Sequence, residues 1–342
     1  MTPPPMAPRQ TTKTPDRMYG KRKLRNPHQG STGEPQSRRF YRDVDGILLL
    51  DKPLGLSSNA ALQQVRGLFG ALKAGHAGSL DPLASGLLPV CFGQATKVCG
   101  RLLNSGKTYL VTAQLGARTE SLDCETEVIE RAAVPVLDTA GVDAVLATFL
   151  GEQDQVPPMH SALKQDGKRL YELARRGESV ERQPRRITIH SIRQVRLSTE
   201  QIEFEVRCSK GTYIRSLAAD IAAKLGTLGY VAALRRLTVE PFEGLPMHTF
   251  ETLEAQLGAG PADVLDCLLL TADAAFQDLA STQLGRDGER DLLRGQAVST
   301  LTPAPAGPLR AYGPNGRFLG LVEAQPDGRV QPVRLFVEAA RT

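Results

Sequence analysis

The residue whose surroundings best suit it to chemistry is Asp81. It is the only acid between Ala74 and Val90, a stretch otherwise built of apolar and small residues such as Gly75, Gly78, Ser79 and Gly86, with one histidine, His76. Small residues let the backbone turn tightly and let a large ligand come close. The carboxylate would then face a cleft with little side chain to shield it. The bland alternative is local. Asp followed by Pro82 is a good helix start, with Asp as cap and Pro at the first helical position. Arg215 bears on the choice. It falls in the first turn of a helix predicted from Ile214, Leu217, Ile221 and Leu225. A cation is a poor match for the positive end of a helix dipole, so an anion is expected beside it, and Asp81 is the candidate. Burial tends to protonate a carboxylate; a facing guanidinium opposes that shift. Tyr213 shares this first turn. Tyr109 opens an alternating strand, where by itself it reads as core.

The elements that must position these residues follow from pattern. Gly46 to Leu50 reads as a buried strand, broken by Asp51-Lys52-Pro53. Ser57 or Ser58 can cap a helix to about Phe69, with Ala61, Leu62, Val65 and Leu68 inward. Gly93 to Lys97 leads into a helix ending near Leu103. Lys107 to Leu115 alternates as a half-buried strand, and Arg118 to Asp123 has loop character, with the role of Asp123 open. Val142 to Leu150 reads as a helix, and 151–184 as a charged, loop-rich region. Two paired strands cover 187–197 and 201–208, and Tyr230 to Val239 is a further strand. From about residue 270 the strands become short and turn-rich, near 296–298, 309–312, 318–322 and 330–337, with turns at Pro314-Asn315-Gly316 and Pro326-Asp327-Gly328. This predicts a small all-β domain.

Gly75 to Pro89 resembles the catalytic motif of the pseudouridine synthases, specifically the TruB family, the bacterial tRNA pseudouridine-55 synthases. Other segments agree in the family's order: Leu50-Asp51-Lys52-Pro53 with Gly55, Ser57 and Ser58; Lys107-Thr108-Tyr109; Pro157 to Lys164; Cys208 to Arg215; and Leu234-Arg235-Arg236-Leu237. The resemblance covers about residues 42 to 342. It implies a mixed α/β catalytic domain over 42–269 with a central, largely antiparallel sheet, followed by a PUA-like RNA-binding β-barrel over 270–342. It further implies Asp81 as the catalytic carboxylate with Arg215 beside it, and Tyr109 stacked on the target base. Tyr213 and Leu234 would line the uracil pocket, although Leu234 also fits ordinary core. His76 would contact the RNA loop vacated by the flipped base; its local alternative is a turn residue. The Lys52-Pro53 turn would lie beside the site, and the 151–184 loop would clamp RNA with help from Arg182, Arg185 and Arg186. The chain departs mildly, with His160 where the family often has Tyr, and Ala77 or Ser79 where it has Thr.

The implied reaction breaks the bond from C1′ to N1 of uridine, turns the detached uracil and rejoins it through C5. One carboxylate suffices, whereas glycoside hydrolysis uses a pair. A uridine inside a folded loop must be flipped out to react. The resemblance implies the T arm of tRNA as partner, a monomer without an obligatory protein partner, and no cofactor. The competing reading is a non-catalytic RNA-binding protein or tRNA chaperone on the same scaffold, against which the intact Asp81, Tyr109 and Arg215 argue.

Composition bounds these readings. The 342 residues carry a net charge of +5. Ten Lys or Arg stand against four acids in residues 1–45, a local +6 that leaves the rest at −1. RNA binding by the folded part would therefore need a patterned face rather than bulk charge. Residues 1–41 are Pro-rich and poor in apolar side chains, which predicts a disordered basic tail; its run Lys21 to Arg25 either touches phosphates or merely solubilises. The five cysteines, at 91, 99, 124, 208 and 267, include no Cys-x-x-Cys pair, and the five histidines show no ligand spacing, so no metal site is indicated. With no secretory signal and no membrane-length apolar run, a cytoplasmic protein is expected.

Overall fold

The computed structural model describes residues 41–336, apart from 162–163, 166–167, 175, 179 and 259. The expected N-terminal tail, bar its last residue, and part of the expected RNA-clamping loop lie outside the described residues. The apolar run Gly46 to Leu50 is buried on both faces; its strand, Gly46–Lys52, continues through Asp51 and Lys52, two residues past the expected break, and pairs antiparallel with Ala84–Phe92, which is buried almost throughout. The eight-stranded central sheet continues in the order Gly46–Lys52, Ala84–Phe92, Gly229–Val239, Lys107–Leu115, Gln201–Cys208, Arg185–Leu197, Gly151–Gln155, with Ala74–His76 added on Ala84–Phe92. Its pairings are antiparallel except one: Gly229–Val239 runs parallel to Ala84–Phe92 through Leu234–Ala84, Arg235–Ser85 and Arg236–Gly86.

At that junction the two backbones nearly touch. Gly86 has φ of +98°, and a Cβ there would lie 2.2 Å from the Arg236 carbonyl oxygen. Only glycine fits, by conformation and by space. Gly86→Ala should therefore lower stability by ~3 kcal/mol or more, combining backbone strain with overpacking. Urea denaturation measures this, and a loss under about 1 kcal/mol would show that the strands separate freely.

Helices cover the sheet. Ser58–Leu68 is capped by Ser57, whose Oγ accepts from the Ala60 N–H at 3.1 Å, and its Ala61, Leu62 and Val65 pack with Phe69 and Phe92. Ile214–Lys224 and Thr139–Ala147 cover the other half, over Val111, Phe204, Val206 and Val231. The second of these helices starts three residues before its apolar pattern does, because Asp138 caps it through the Gly141 N–H at 2.7 Å. Asp81-Pro82 starts no helix. It forms a turn, closed by the Ala84 N–H to the Asp81 carbonyl at 3.0 Å, that feeds directly into the Ala84–Phe92 strand. Burial between two neighbouring strands overrides the local capping preference.

The PUA-like domain is a five-stranded sheet in the order Ser281–Gln283, Pro308–Tyr312, Phe318–Ala324, Arg329–Leu335, Val298–Ser299. Helix Arg286–Leu293 closes its core through Leu292, against Leu284, Leu309, Leu319, Val322 and Val330. The sequence pattern does not announce Ser281–Gln283, which is short and polar, or this helix, whose only fully buried side chain is Leu292. An aromatic group of Phe276, Phe318 and Phe336 joins this sheet to Ala95, Val98, Leu102 and Phe242, which lie in the helical segment after Ala84–Phe92 and in the turn after Gly229–Val239. Among the described residues no helix is long and apolar enough to cross a membrane.

Candidate active site

The Asp81 turn is held on both sides by the segment that follows the first strand. Ser58 Oγ donates to the Leu80 carbonyl at 2.9 Å and accepts the Leu80 N–H at 2.7 Å. The Gly55 N–H donates to the Pro82 carbonyl at 2.7 Å. Lys52, fully buried, ties its own loop by donating to the carbonyls of Pro53 and Leu56 at 2.9 and 2.7 Å. The two neighbouring serines thus divide the work, Ser57 capping the helix and Ser58 fixing the residue before the acid.

Arg215 faces Asp81, as its place in the helix demands, and it faces a second acid too. Its Nη2 lies 3.1 Å from Asp81 Oδ2 and its Nη1 lies 3.1 Å from Asp123 Oδ2. It also donates to the carbonyls of Ser121 and His160, at 3.0 and 2.8 Å. Side-chain exposure separates the two acids: Asp81 is 49% exposed, Asp123 5% and Arg215 8%. Asp81 thus faces an opening. The desolvated carboxylate is Asp123, and Asp81 is the one that reaches solvent. Asp123 Oδ1 accepts from Ser121 Oγ at 2.5 Å and from the Glu125 N–H at 2.9 Å. Leu122 between them has φ of +60°, the only left-handed non-glycine residue among those described. Such a conformation persists only where its surroundings hold it; here it turns the Ser121 carbonyl and the Asp123 carboxylate toward one guanidinium. On the helix side, Gln155 accepts the Tyr213 N–H at 2.8 Å and donates to the Tyr213 carbonyl at 3.0 Å, fixing the residue that caps Ile214–Lys224.

A cavity of about 580 Å³ opens over Asp81, and Tyr109, Tyr213, Arg215 and Leu234 line it with His160. The volume falls in the range of small-molecule pockets. Five of the six sequence-predicted site residues thus meet. His76 does not line this cavity; it sits half-buried at the end of Ala74–His76. Burial lowers the pKa of its imidazole, and the charge of Arg236 adds to that. Leu234 stands where the parallel and antiparallel pairings meet, opposite Ala84 on one side and Val111 on the other. Burial raises the phenol pKa of both Tyr109 and Tyr213, so each stays a neutral ring.

Sequence reasoning did not assign Asp123, Ser58, Gln155 or Arg236 to the site. Arg236 is wholly buried and donates to the carbonyls of Leu87 at 2.7 Å and Gly78 at 2.9 Å, clamping the Asp81 stretch onto the sheet. Lys107 ties the end of helix Cys99–Asn104 to its own strand, donating to Leu102, Leu103 and Ser105 carbonyls at 2.9, 3.0 and 2.6 Å. Burial, with Arg236 adding repulsion, lowers the Lys107 pKa to about 8. The unfolded chain then binds more protons than the folded one between about 8 and the ordinary lysine value of about 10.4. Stability contributed at this position therefore rises with pH across that window. The stability of wild type relative to Lys107→Met should climb between about pH 8 and 10. An unchanged difference in urea midpoints over that range would mean that Lys107 does not lose its proton there.

Comparison with known proteins places the chain in a family. Residues 66–214 match the model of the TruB family pseudouridylate synthase N-terminal domain. Residues 215–277 match the tRNA pseudouridylate synthase B C-terminal domain, and 280–336 the pseudouridine synthase II TruB C-terminal model. The chain is 47% identical over 305 residues to tRNA pseudouridine synthase B of Ectopseudomonas mendocina, covering 89% of this chain and 99% of that protein. It is 48% identical over 305 residues to tRNA pseudouridine synthase B of Chromohalobacter salexigens, covering 89% and 98%. In fold it is similar to a chain of the crystal structure of a Cbf5-Nop10-Gar1 complex, with a TM-score of 0.64 at 22% identity over 86% of this chain and 85% of that one.

Proposed function

The chain belongs to the TruB family of pseudouridylate synthases, and from that premise we propose that it isomerises the uridine at position 55, in the TΨC loop of tRNA, to pseudouridine, with Asp81 as the working carboxylate. The observation that carries the reading is the asymmetry of the two acids on Arg215. Asp123 is buried and engaged, while Asp81 is held at 3.1 Å yet opens into a nucleotide-sized cavity. A flipped uridine entering that cavity meets Asp81 at its ribose, where the carboxylate attacks C1′ or removes the C2′ proton. The C1′–N1 bond breaks, the uracil turns in place, C5 bonds to C1′ and the C5 proton leaves. Tyr109 stacks on the base, worth ~1–3 kcal/mol, and Tyr213 and Leu234 bound its path. His76 lies outside the cavity, where it meets the RNA loop left by the flipped base. The 151–184 loop and the domain from about residue 270 add contacts along the tRNA, which for a folded arm rest on shape and phosphates as much as on bases.

Release of tritium from C5-labelled uridine in a synthetic T-arm hairpin tests the reading. One equivalent per hairpin should be released, only from the position equivalent to 55. A hairpin that binds but releases no tritium would overturn it in favour of a non-catalytic RNA-binding role.

A further inference from the structure

Two of the five cysteines meet, at a place the proposed reaction does not use. Cys91 lies opposite Gly75 in the antiparallel pairing of Ala74–His76 with Ala84–Phe92. Opposed residues in such a pair direct their Cβ atoms to one face, ~4.5–5.5 Å apart. Gly75 has no side chain, and a Cβ built there would lie 3.7 Å from Cys99 Sγ. The space beside Cys91 that a side chain at residue 75 would fill is thus occupied by the sulfur of Cys99, at the start of helix Cys99–Asn104. The two sulfurs lie close enough for each thiol to shift the titration of the other. Cys91 is fully buried among Ala95, Val98 and Leu102, and Cys99 is half-buried at the edge of that cluster. The contact with Cys91 lowers the Cys99 pKa, against some burial and with help from the nearby Lys73, while Cys91 is held protonated by the same contact and by burial. Cys124 and Cys267 are exposed and Cys208 is buried beside the Lys107 carbonyl; none of the three faces another thiol among the described residues.

We propose that Cys91 and Cys99 form a reversible redox pair, in which Cys99 reacts with a hydroperoxide and Cys91 resolves the product as an internal disulfide. In the first step the Cys99 thiolate takes the distal oxygen of hydrogen peroxide. The O–O bond breaks, a sulfenic acid forms, and the departing hydroxide leaves as water after taking up a proton. In the second step the Cys91 sulfur attacks the Cys99 sulfur, the S–O bond breaks, and hydroxide leaves with the Cys91 proton as a second water. Two thiols and one peroxide thus become one disulfide and two waters. A resolving thiol at contact distance diverts the sulfenic acid from irreversible over-oxidation. The pair lines none of the Asp81 cavity, so it protects the protein chemically and leaves the reacting groups alone.

The test uses the whole chain and hydrogen peroxide. Lys97 lies between the cysteines, so trypsin places Cys91 in peptide 74–97 and Cys99 in peptide 98–101. After peroxide treatment and blocking of free thiols, these two peptides should be recovered linked, with alkylatable thiols falling from five to three; dithiothreitol should restore all five. Cys99→Ala should keep its remaining thiols under the same dose. Cys91→Ala should accumulate a dimedone-reactive sulfenic acid at Cys99. Circular dichroism of both variants checks that they fold. The proposal is overturned if wild type at that dose forms no 74–97/98–101 link, or if its disulfide joins other cysteines.

Discussion

Asp81→Asn should abolish turnover while leaving binding of the T-arm hairpin within about tenfold, which corresponds to ~1.4 kcal/mol. An amide is nearly isosteric with a carboxylate but can neither attack C1′ nor take a proton from C2′. The geometry explains why the two effects separate. Arg215 keeps Asp123 as its buried partner and keeps its two carbonyl acceptors, so neutralising Asp81 strands no charge. Asp81 is half exposed, so the fold loses little from the substitution. Single-turnover tritium release and hairpin titration measure the two quantities. Turnover by the pure variant would remove Asp81 from the chemistry, and a large loss of thermal stability would show that it holds the fold.

Arg215→Met should differ from Asp81→Asn by failing in stability as well as in rate. It leaves Asp123 buried and uncompensated, and breaking a buried ion pair on one side costs ~3–5 kcal/mol. It also frees the Asp81 side chain, and misplacement of a reacting group by about 1 Å can cost ~10²-fold in rate. Arg215→Lys retains charge without the planar fork. One ammonium cannot span two carboxylates and two carbonyls, so the Lys variant should fall between wild type and Met in both measures. The double variant Arg215→Met/Asp123→Asn separates the two functions. Removing the stranded charge should recover most of the lost stability, read from urea midpoints as a coupling between neighbours, with no recovery of turnover. Full stability of the single Met variant would show that Asp123 does not depend on Arg215.

Much of this site is readable in the sequence because its residues violate local preference. An arginine in the first turn of a helix calls for an anion, and the anion is there. The strand run Gly46–Lys52 and the helix Ile214–Lys224 follow from their apolar patterns for the same reason that they form: burial of those faces. What is not readable depends on partners far along the chain. Ser58 looks like any helix cap, and nothing local reveals its two bonds to Leu80. Asp123 sits in an aperiodic loop whose shape depends on Leu122 taking a left-handed conformation that leucine does not favour. Gly86 reads as one small residue among several; its necessity comes from a backbone that approaches from residue 236. The helix reading of Asp81-Pro82 fails because capping is worth only ~1 kcal/mol and a strand buried between two neighbours outweighs it.

The parallel strand pair has a consequence for synthesis of the protein. Leu234 and Ala84 are cross-strand partners, so one wall of the Asp81 cavity arrives about 150 residues after the carboxylate itself. At ~5–20 residues per second, the growing chain spends ~8–30 s with Asp81 outside the ribosome and no Leu234 to close over it. During that interval residues 84–86 lack their partner on the side away from Gly46–Lys52, while Ala74–His76 covers residues 90–92. The cavity that Asp81 opens into is thus walled on all its sides only once residue 234 has been made.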